Sequence, residues 1–121
     1  MPFFKDLDSK SHEKIAKLLK PRLALPHEPI FELGGPPESM YFISSGSARV
    51  SLKDREVILG SGDFFGEMAL LNDQPRIASV YSLGFSELLT LESRDFHELL
   101  DQEPNLKKVI EQVGAERMSE W

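Results

Sequence analysis

Cysteine is absent from this chain, so neither a disulfide nor a cysteine-based zinc site holds it together. That absence is compatible with a reducing cytosol. Also missing is any apolar run near the roughly 18 residues needed for a membrane-spanning helix. The first residues, MPFFKDLDSKSHEK, lack the basic start and long apolar core of a signal peptide. Basic residues are in the minority: fourteen Lys and Arg face twenty Asp and Glu, a net charge of -6. Such a balance argues against nucleic acid as a partner, because binding a phosphate backbone needs a basic surface. It leaves room for one phosphate held by one arginine. The three histidines, His12, His27 and His97, are scattered, and no pair has the spacing of metal ligands. Their scatter speaks against a metal-dependent enzyme on a cupin-like roll.

What remains is an ordinary globular composition, 40% hydrophobic and 28% charged, over 121 residues. That length fits one domain spanning residues 1–121. Residues 8 to 20 read as a short helix, with Ile15, Leu18 and Leu19 on one stripe. Asp8 or Ser9 can cap its start, and Pro21 lies just past its end. Phe3, Phe4 and Leu7 can fasten this helix to a neighbouring surface. From residue 22 to 91 the texture is that of strands: MYFISSGSARVSL, EVIL, IASVYSL and ELLTL, separated by polar and glycine-rich turns. After Leu91 the helical period returns over 93–119. Ser93 can cap a helix carrying Phe96, Leu99 and Leu100. Pro104 suits the first turn of the next, whose stripe is Leu106, Val109, Ile110 and Val113. The predicted fold class is therefore α+β: an antiparallel β-roll of the jelly-roll kind, with an N-terminal helix, a short helix within the roll and two C-terminal helices.

The stretch Gly62–Val80, GDFFGEMALLNDQPRIASV, carries the chemistry. A helical turn starting near Gly66 and Glu67 offers unpaired backbone N–H groups, and these favour an anion. Gly66 lets the backbone approach a ligand closely. Arg76 can make a bidentate contact to phosphate oxygens. A carboxylate beside an anion site is unfavourable unless it accepts a hydrogen bond from a hydroxyl. A ligand with both a phosphate and a free hydroxyl reconciles Arg76 with Glu67.

These residues resemble a known family. FGEMALLNDQPRIASV is similar to the phosphate-binding cassette of cyclic nucleotide-binding domains, and MYFISSGSARV and LGSGDFFGE match flanking parts of the same pattern. The likeness covers nearly the whole chain. It implies a regulatory binding module, not an enzyme, whose ligand is cAMP or cGMP and which needs no other cofactor. It implies that Gly66 and Glu67 meet the sugar, Glu67 through the 2′-hydroxyl. The backbone of Met68 and Ala69 would lie near the phosphate, and Arg76 would pair with it. Ser79 matches a small hydroxyl position in the returning strand, and Phe65 and Met68 suit an apolar wall. In many members a residue of the last helix closes over the base; Val113, Ala115 and Arg117 are the candidates here, Arg117 favoured for its length. Ile77 stands where some members carry Thr or Ser. It lacks a hydroxyl for the phosphate or for guanine, which points to cAMP over cGMP. A second departure, LGGPPESM, falls in a loop expected to lie away from the ligand residues. No helix-turn-helix, kinase, cyclase or channel sequence is present. The layout most resembles the cytosolic sensor domains of prokaryotic ion channels and cation transporters. That implies a covalently linked output domain and a place in the cytoplasm, including the cytosolic face of a membrane protein; a free-standing or other multidomain cyclic nucleotide-responsive regulator and a degenerate, ligand-free interaction domain are the alternatives.

Overall fold

The computed structural model describes residues 9–121; Phe3, Phe4, Leu7 and Asp8 fall outside them. Its elements run α1 (Ser9–Leu18), β1 (Lys20–Ala24), β2 (Pro29–Phe31), β3 (Ser39–Ser45), β4 (Ser47–Ser51), β5 (Glu56–Gly60), β6 (Phe64–Phe65), α2 (Glu67–Asn72), β7 (Ser79–Ser82), β8 (Ser86–Glu92), α3 (Ser93–Gln102) and α4 (Pro104–Glu120). The strands form two four-stranded sheets, ordered β1-β8-β3-β6 and β2-β7-β4-β5. Every pairing is antiparallel. This is the α+β roll that the strand-rich middle and helical ends indicate. No helix among the described residues is long and apolar enough to cross a membrane.

Alternation along the strands explains how the layers stack. In β3, Met40 and Phe42 join a core shared with Ile15 of α1, Leu70 of α2, Phe96 and Leu99 of α3, and Leu106 and Ile110 of α4. Tyr41 and Ile43 point the other way, into the roll, beside Ala48 and Val50 of β4, Val80 of β7 and Leu88 of β8. Strand β3 is thus covered on both faces, which is why MYFI reads as an unbroken apolar run. β4 is buried on one face only, so Ala48 and Val50 alternate with partly exposed Ser47, Arg49 and Ser51.

Several boundaries differ from the sequence expectation for local reasons. The first helix stops at Leu18, and Lys20 opens a strand that pairs with β8. Pro21 sits inside that strand, which is tolerable because β1 is a sheet edge, paired on one side only. The two-residue β6 and three-residue β2 are too short to show a period. Ser93 is the first residue of α3, not its cap; its N–H goes to the Glu38 carbonyl at 2.9 Å. Pro104 does open α4. The buried stripe of α4 is Leu106, Ile110 and Gly114, whereas Val109 is 40% exposed.

Gly46 sets the β3–β4 connection. Its φ is +92°, and a Cβ there would lie 2.3 Å from the Ser86 hydroxyl and 2.7 Å from the Phe85 carbonyl oxygen. Gly46→Ala combines left-handed strain with a backbone clash, so it is expected to lower stability by at least about 1–3 kcal/mol. Urea unfolding of the variant measures this; an unchanged midpoint would show that the turn is free to relax.

Candidate functional site

The site is built where β6 turns into α2. Phe64 faces the helices and Phe65 the roll, and Gly66 follows with φ +89°. Only a residue without a side chain fits comfortably here. A Cβ would approach Arg76 Nη1 to 3.1 Å, the Ser39 carbonyl oxygen to 3.2 Å and Met40 Cα to 3.3 Å. Helix α2 then runs for one and a half turns and stops at Asp73, also left-handed at φ 48°. Its residues Glu67, Met68, Ala69 and Leu70 are all buried. The loop back to β7 carries Arg76.

Arg76 is clamped through its backbone. Its N–H donates to the Gly35 carbonyl at 2.9 Å, and its own carbonyl accepts from the Gly34 N–H at 2.8 Å. The loop containing Gly34 and Gly35, expected from sequence to stand apart from the ligand residues, is therefore what holds Arg76 in place. Glycine suits both positions: Gly34 has a left-handed φ of +85°, and a Cβ on Gly35 would lie 3.0 Å from the Glu32 carbonyl oxygen. Arg76 as a whole is only 4% exposed. Nη1 donates to the Gly66 carbonyl at 2.9 Å and Nη2 to the Ser39 carbonyl at 2.6 Å. Its central carbon lies 4.0 Å from the centroid of the Phe31 ring, a cation–π contact. Burial lowers its pKa from the usual arginine value, opposed by Tyr41, Glu38 and Glu67 nearby. It stays a cation throughout the physiological range.

Glu67 is fully buried. Arg117, reaching down from α4, donates from Nη1 to its Oε1. Burial pushes the Glu67 carboxyl above the ordinary range; Arg117 and the amides of Glu67 and Met68 pull the other way. Three buried side-chain polar atoms among the described residues lack a hydrogen-bond partner: Arg49 Nε, Glu67 Oε2 and Arg76 Nε. Arg49 Nε still lies 2.8 Å from a Glu56 carboxylate oxygen. The other two belong to the walls of one cavity. The walls of that cavity include Phe31, Phe65, Gly66, Glu67, Arg76 and Trp121. A guanidinium and a carboxyl group, both on buried residues, thus belong to the lining of the same cavity.

The structure brings most of the sequence candidates to this cavity. Phe65, Gly66, Glu67, Met68, Ala69, Arg76 and Ile77 all line it. Ser79 does not: its hydroxyl accepts from the Leu33 N–H at 2.8 Å and so pins the β2 side of the roll. Of the last-helix candidates, Val113, Ala115 and Arg117 are not among the lining residues; Arg117 meets Glu67 from behind the wall. Trp121 lines the cavity instead. Phe31 and Trp121 went unnoticed in the sequence, since neither sits in a motif. A lone tryptophan one turn beyond a favoured lid residue was the available signal.

A sequence model of the cyclic nucleotide-binding domain family matches residues 21–103. A cyclic nucleotide-gated potassium channel of Rhizobium etli is 35% identical over 117 residues, covering 97% of this chain and 33% of the channel. The chain thus spans about a third of that relative. The catabolite activator protein of Thermus thermophilus superposes with a TM-score of 0.86 at 28% identity, over 99% of this chain and 59% of that one. The regulatory domain of Toxoplasma gondii PKA, crystallised with cAMP, gives a TM-score of 0.80 at 25% identity, over 98% of this chain and 45% of that one.

Glu67 makes stability depend on pH in a definite direction. A carboxyl whose pKa is raised on folding holds its proton more tightly in the native state. Its contribution is therefore most favourable below the ordinary value of 4.5 and declines as pH rises towards the raised pKa. The stability of the wild type relative to Glu67→Gln is expected to fall as pH is raised from about 4.5, the ordinary carboxyl value. Paired urea titrations across that range measure the difference. A difference that grows with pH would mean that Arg117 outweighs burial.

Proposed function

The chain belongs to the cyclic nucleotide-binding domain family, and we propose that it is a regulatory module that binds a cyclic nucleotide, cAMP in preference to cGMP, in the cavity walled by Gly66, Glu67 and Arg76. The observation that carries this reading is that two residues lining one cavity each keep a buried polar atom without a partner, Glu67 Oε2 and Arg76 Nε. Leaving either group unpaired costs on the order of 1–3 kcal/mol. A cyclic nucleotide offers a partner to both: its phosphate to the guanidinium, its ribose hydroxyl to the carboxylate. Arginine has five N–H donors. The Gly66 and Ser39 carbonyls engage only its two terminal nitrogens and fix its plane. Nε and an adjacent terminal N–H remain for two phosphate oxygens.

Gly66 brings the start of α2 against the ligand, so the amides of Met68 and Ala69 add donors near the phosphate. The apolar side chains of Phe65 and Met68 exclude water and strengthen these contacts. Ile77 lines the cavity without a hydroxyl, which supports cAMP, since guanine and its syn form gain from one. Trp121 places the end of α4 at the cavity, so ligand occupancy and helix position are linked. Ligand then shifts the population towards the docked helix, and any output that disfavours docking weakens nucleotide binding by the same factor. A covalently linked channel or transporter at the cytosolic face of the membrane is the output favoured by the named Rhizobium etli relative.

Calorimetry with cAMP and cGMP tests the reading, and cAMP is expected to bind more tightly. No heat from either at millimolar concentration would sink it. Arg76→Ala is expected to weaken cAMP binding by about 1.5–3 kcal/mol, the worth of a charged hydrogen bond. Unchanged affinity in a folded variant would remove the phosphate assignment.

A further inference from the structure

Arg117 has a place that neither a surface arginine nor a base-stacking lid requires. Its side chain is 12% exposed, although Ala115, Glu116 and Met118 around it face solvent. Its guanidinium carbon lies 5.2 Å from the Phe64 ring centroid and 4.8 Å from that of Trp121. These two rings form a slot that orients a planar cation. From the slot Nη1 reaches Oε1 of Glu67, and Oε2 of the same carboxylate is left without a partner.

We propose that Arg117 is a positioning residue for the ribose grip: from the last helix it holds Oε1 of Glu67 and so presents Oε2 to the hydroxyl of the ligand. The inference rests on the cyclic nucleotide reading of the cavity and extends it, because it assigns Arg117 to the carboxylate and not to the base. Gly114 supports the arrangement. It lies one turn before Arg117 on the buried face of α4, and a Cβ there would stand 3.0 Å from Leu71 Cδ1. A glycine inside a helix costs about 1 kcal/mol relative to alanine. Here it lets α4 approach α2 closely enough for Arg117 to span the gap. The charged groups facing Glu67 are then Arg117 from α4 and Arg76 from the loop before β7, with the amides of Glu67 and Met68 on its own helix. Of the influences opposing the upward push of burial, Arg117 is the largest. Without it the carboxyl takes up its proton at a higher pH.

The test uses two ligands that differ only at the hydroxyl, cAMP and 2′-deoxy-cAMP, titrated by calorimetry into the wild type, Arg117→Met and Arg117→Lys. If Arg117 acts through Glu67, Arg117→Met weakens cAMP by about tenfold but 2′-deoxy-cAMP by less than about threefold, since only cAMP loses a charged hydrogen bond. The same variant loses cAMP affinity at a higher pH than the wild type does as the solution is acidified. Arg117→Lys keeps the cation and falls between the two. Equal losses for both ligands would overturn the proposal in favour of a base contact or general helix packing. Tighter cAMP binding by Arg117→Met would overturn it too, by showing that Arg117 competes with the ribose. A Lys variant as weak as the Met variant would count against a role for the charge. If the wild type binds neither ligand, the cyclic nucleotide reading itself fails. If Arg76→Ala abolishes binding of both while Arg117→Met discriminates between neither, only the positioning role falls.

Discussion

A guanidinium taken out of water without a carboxylate beside it must be solvated by something else. Arg76 is in that position: among the described residues no carboxylate lies within ion-pair distance of it, and two main-chain carbonyls and an aromatic ring replace its water. Much of the molecule is arranged around this substitution. The Ser39 carbonyl comes from the start of β3, the central strand that is buried on both faces. The Gly66 carbonyl comes from the left-handed turn that starts α2. Phe31 comes from the opposite sheet, and the Gly34–Gly35 loop fixes the backbone. Two stretches, residues 31–39 and the turn at Gly66, thus converge on one side chain. Moving either of them exposes the cation or strands it.

The carboxylate opposite is handled differently. Glu67 has less compensation from the main chain and relies on Arg117, some fifty residues away. A buried ion pair seldom adds stability over well-packed apolar residues, because desolvation offsets the attraction. Its value here is geometric: it ties the last helix to the first turn of α2 at the cavity wall. The fold thus contains one charge solvated by main-chain carbonyls and one solvated by a side chain of the last helix. The first suits a permanent grip, and the second makes the wall sensitive to where α4 lies.

Gly114 and Trp121 extend that sensitivity along the same helix. Gly114 lets α4 pack against Leu71 of α2, and Trp121 carries the end of α4 over the cavity beside Phe31 and Val80. Between them, Arg117 is stacked on Trp121, so the contacts of the last turn are mutually dependent. The β-roll, with its ladder of antiparallel pairs, offers no comparable freedom.

The strands with clear alternation, the amphipathic helices and the Phe65–Ile77 stretch were legible in the amino-acid order, because their signals are local: period two, period 3.6, and a long motif of glycine, carboxylate and arginine. Short β2 and β6 carried no period, and Pro21 looked like a stop until pairing placed it at a sheet edge. The sequence by itself determined that a glycine, a carboxylate and an arginine, Gly66, Glu67 and Arg76, stand in one short stretch. Only the tertiary structure decided what holds those side chains. The Gly34–Gly35 clamp, the Phe31 ring under Arg76, the use of Ser79 for Leu33 and the Arg117–Glu67 pair all join residues far apart in the chain. Contacts of that kind follow from how the layers pack, and no spacing along a single strand or helix encodes them.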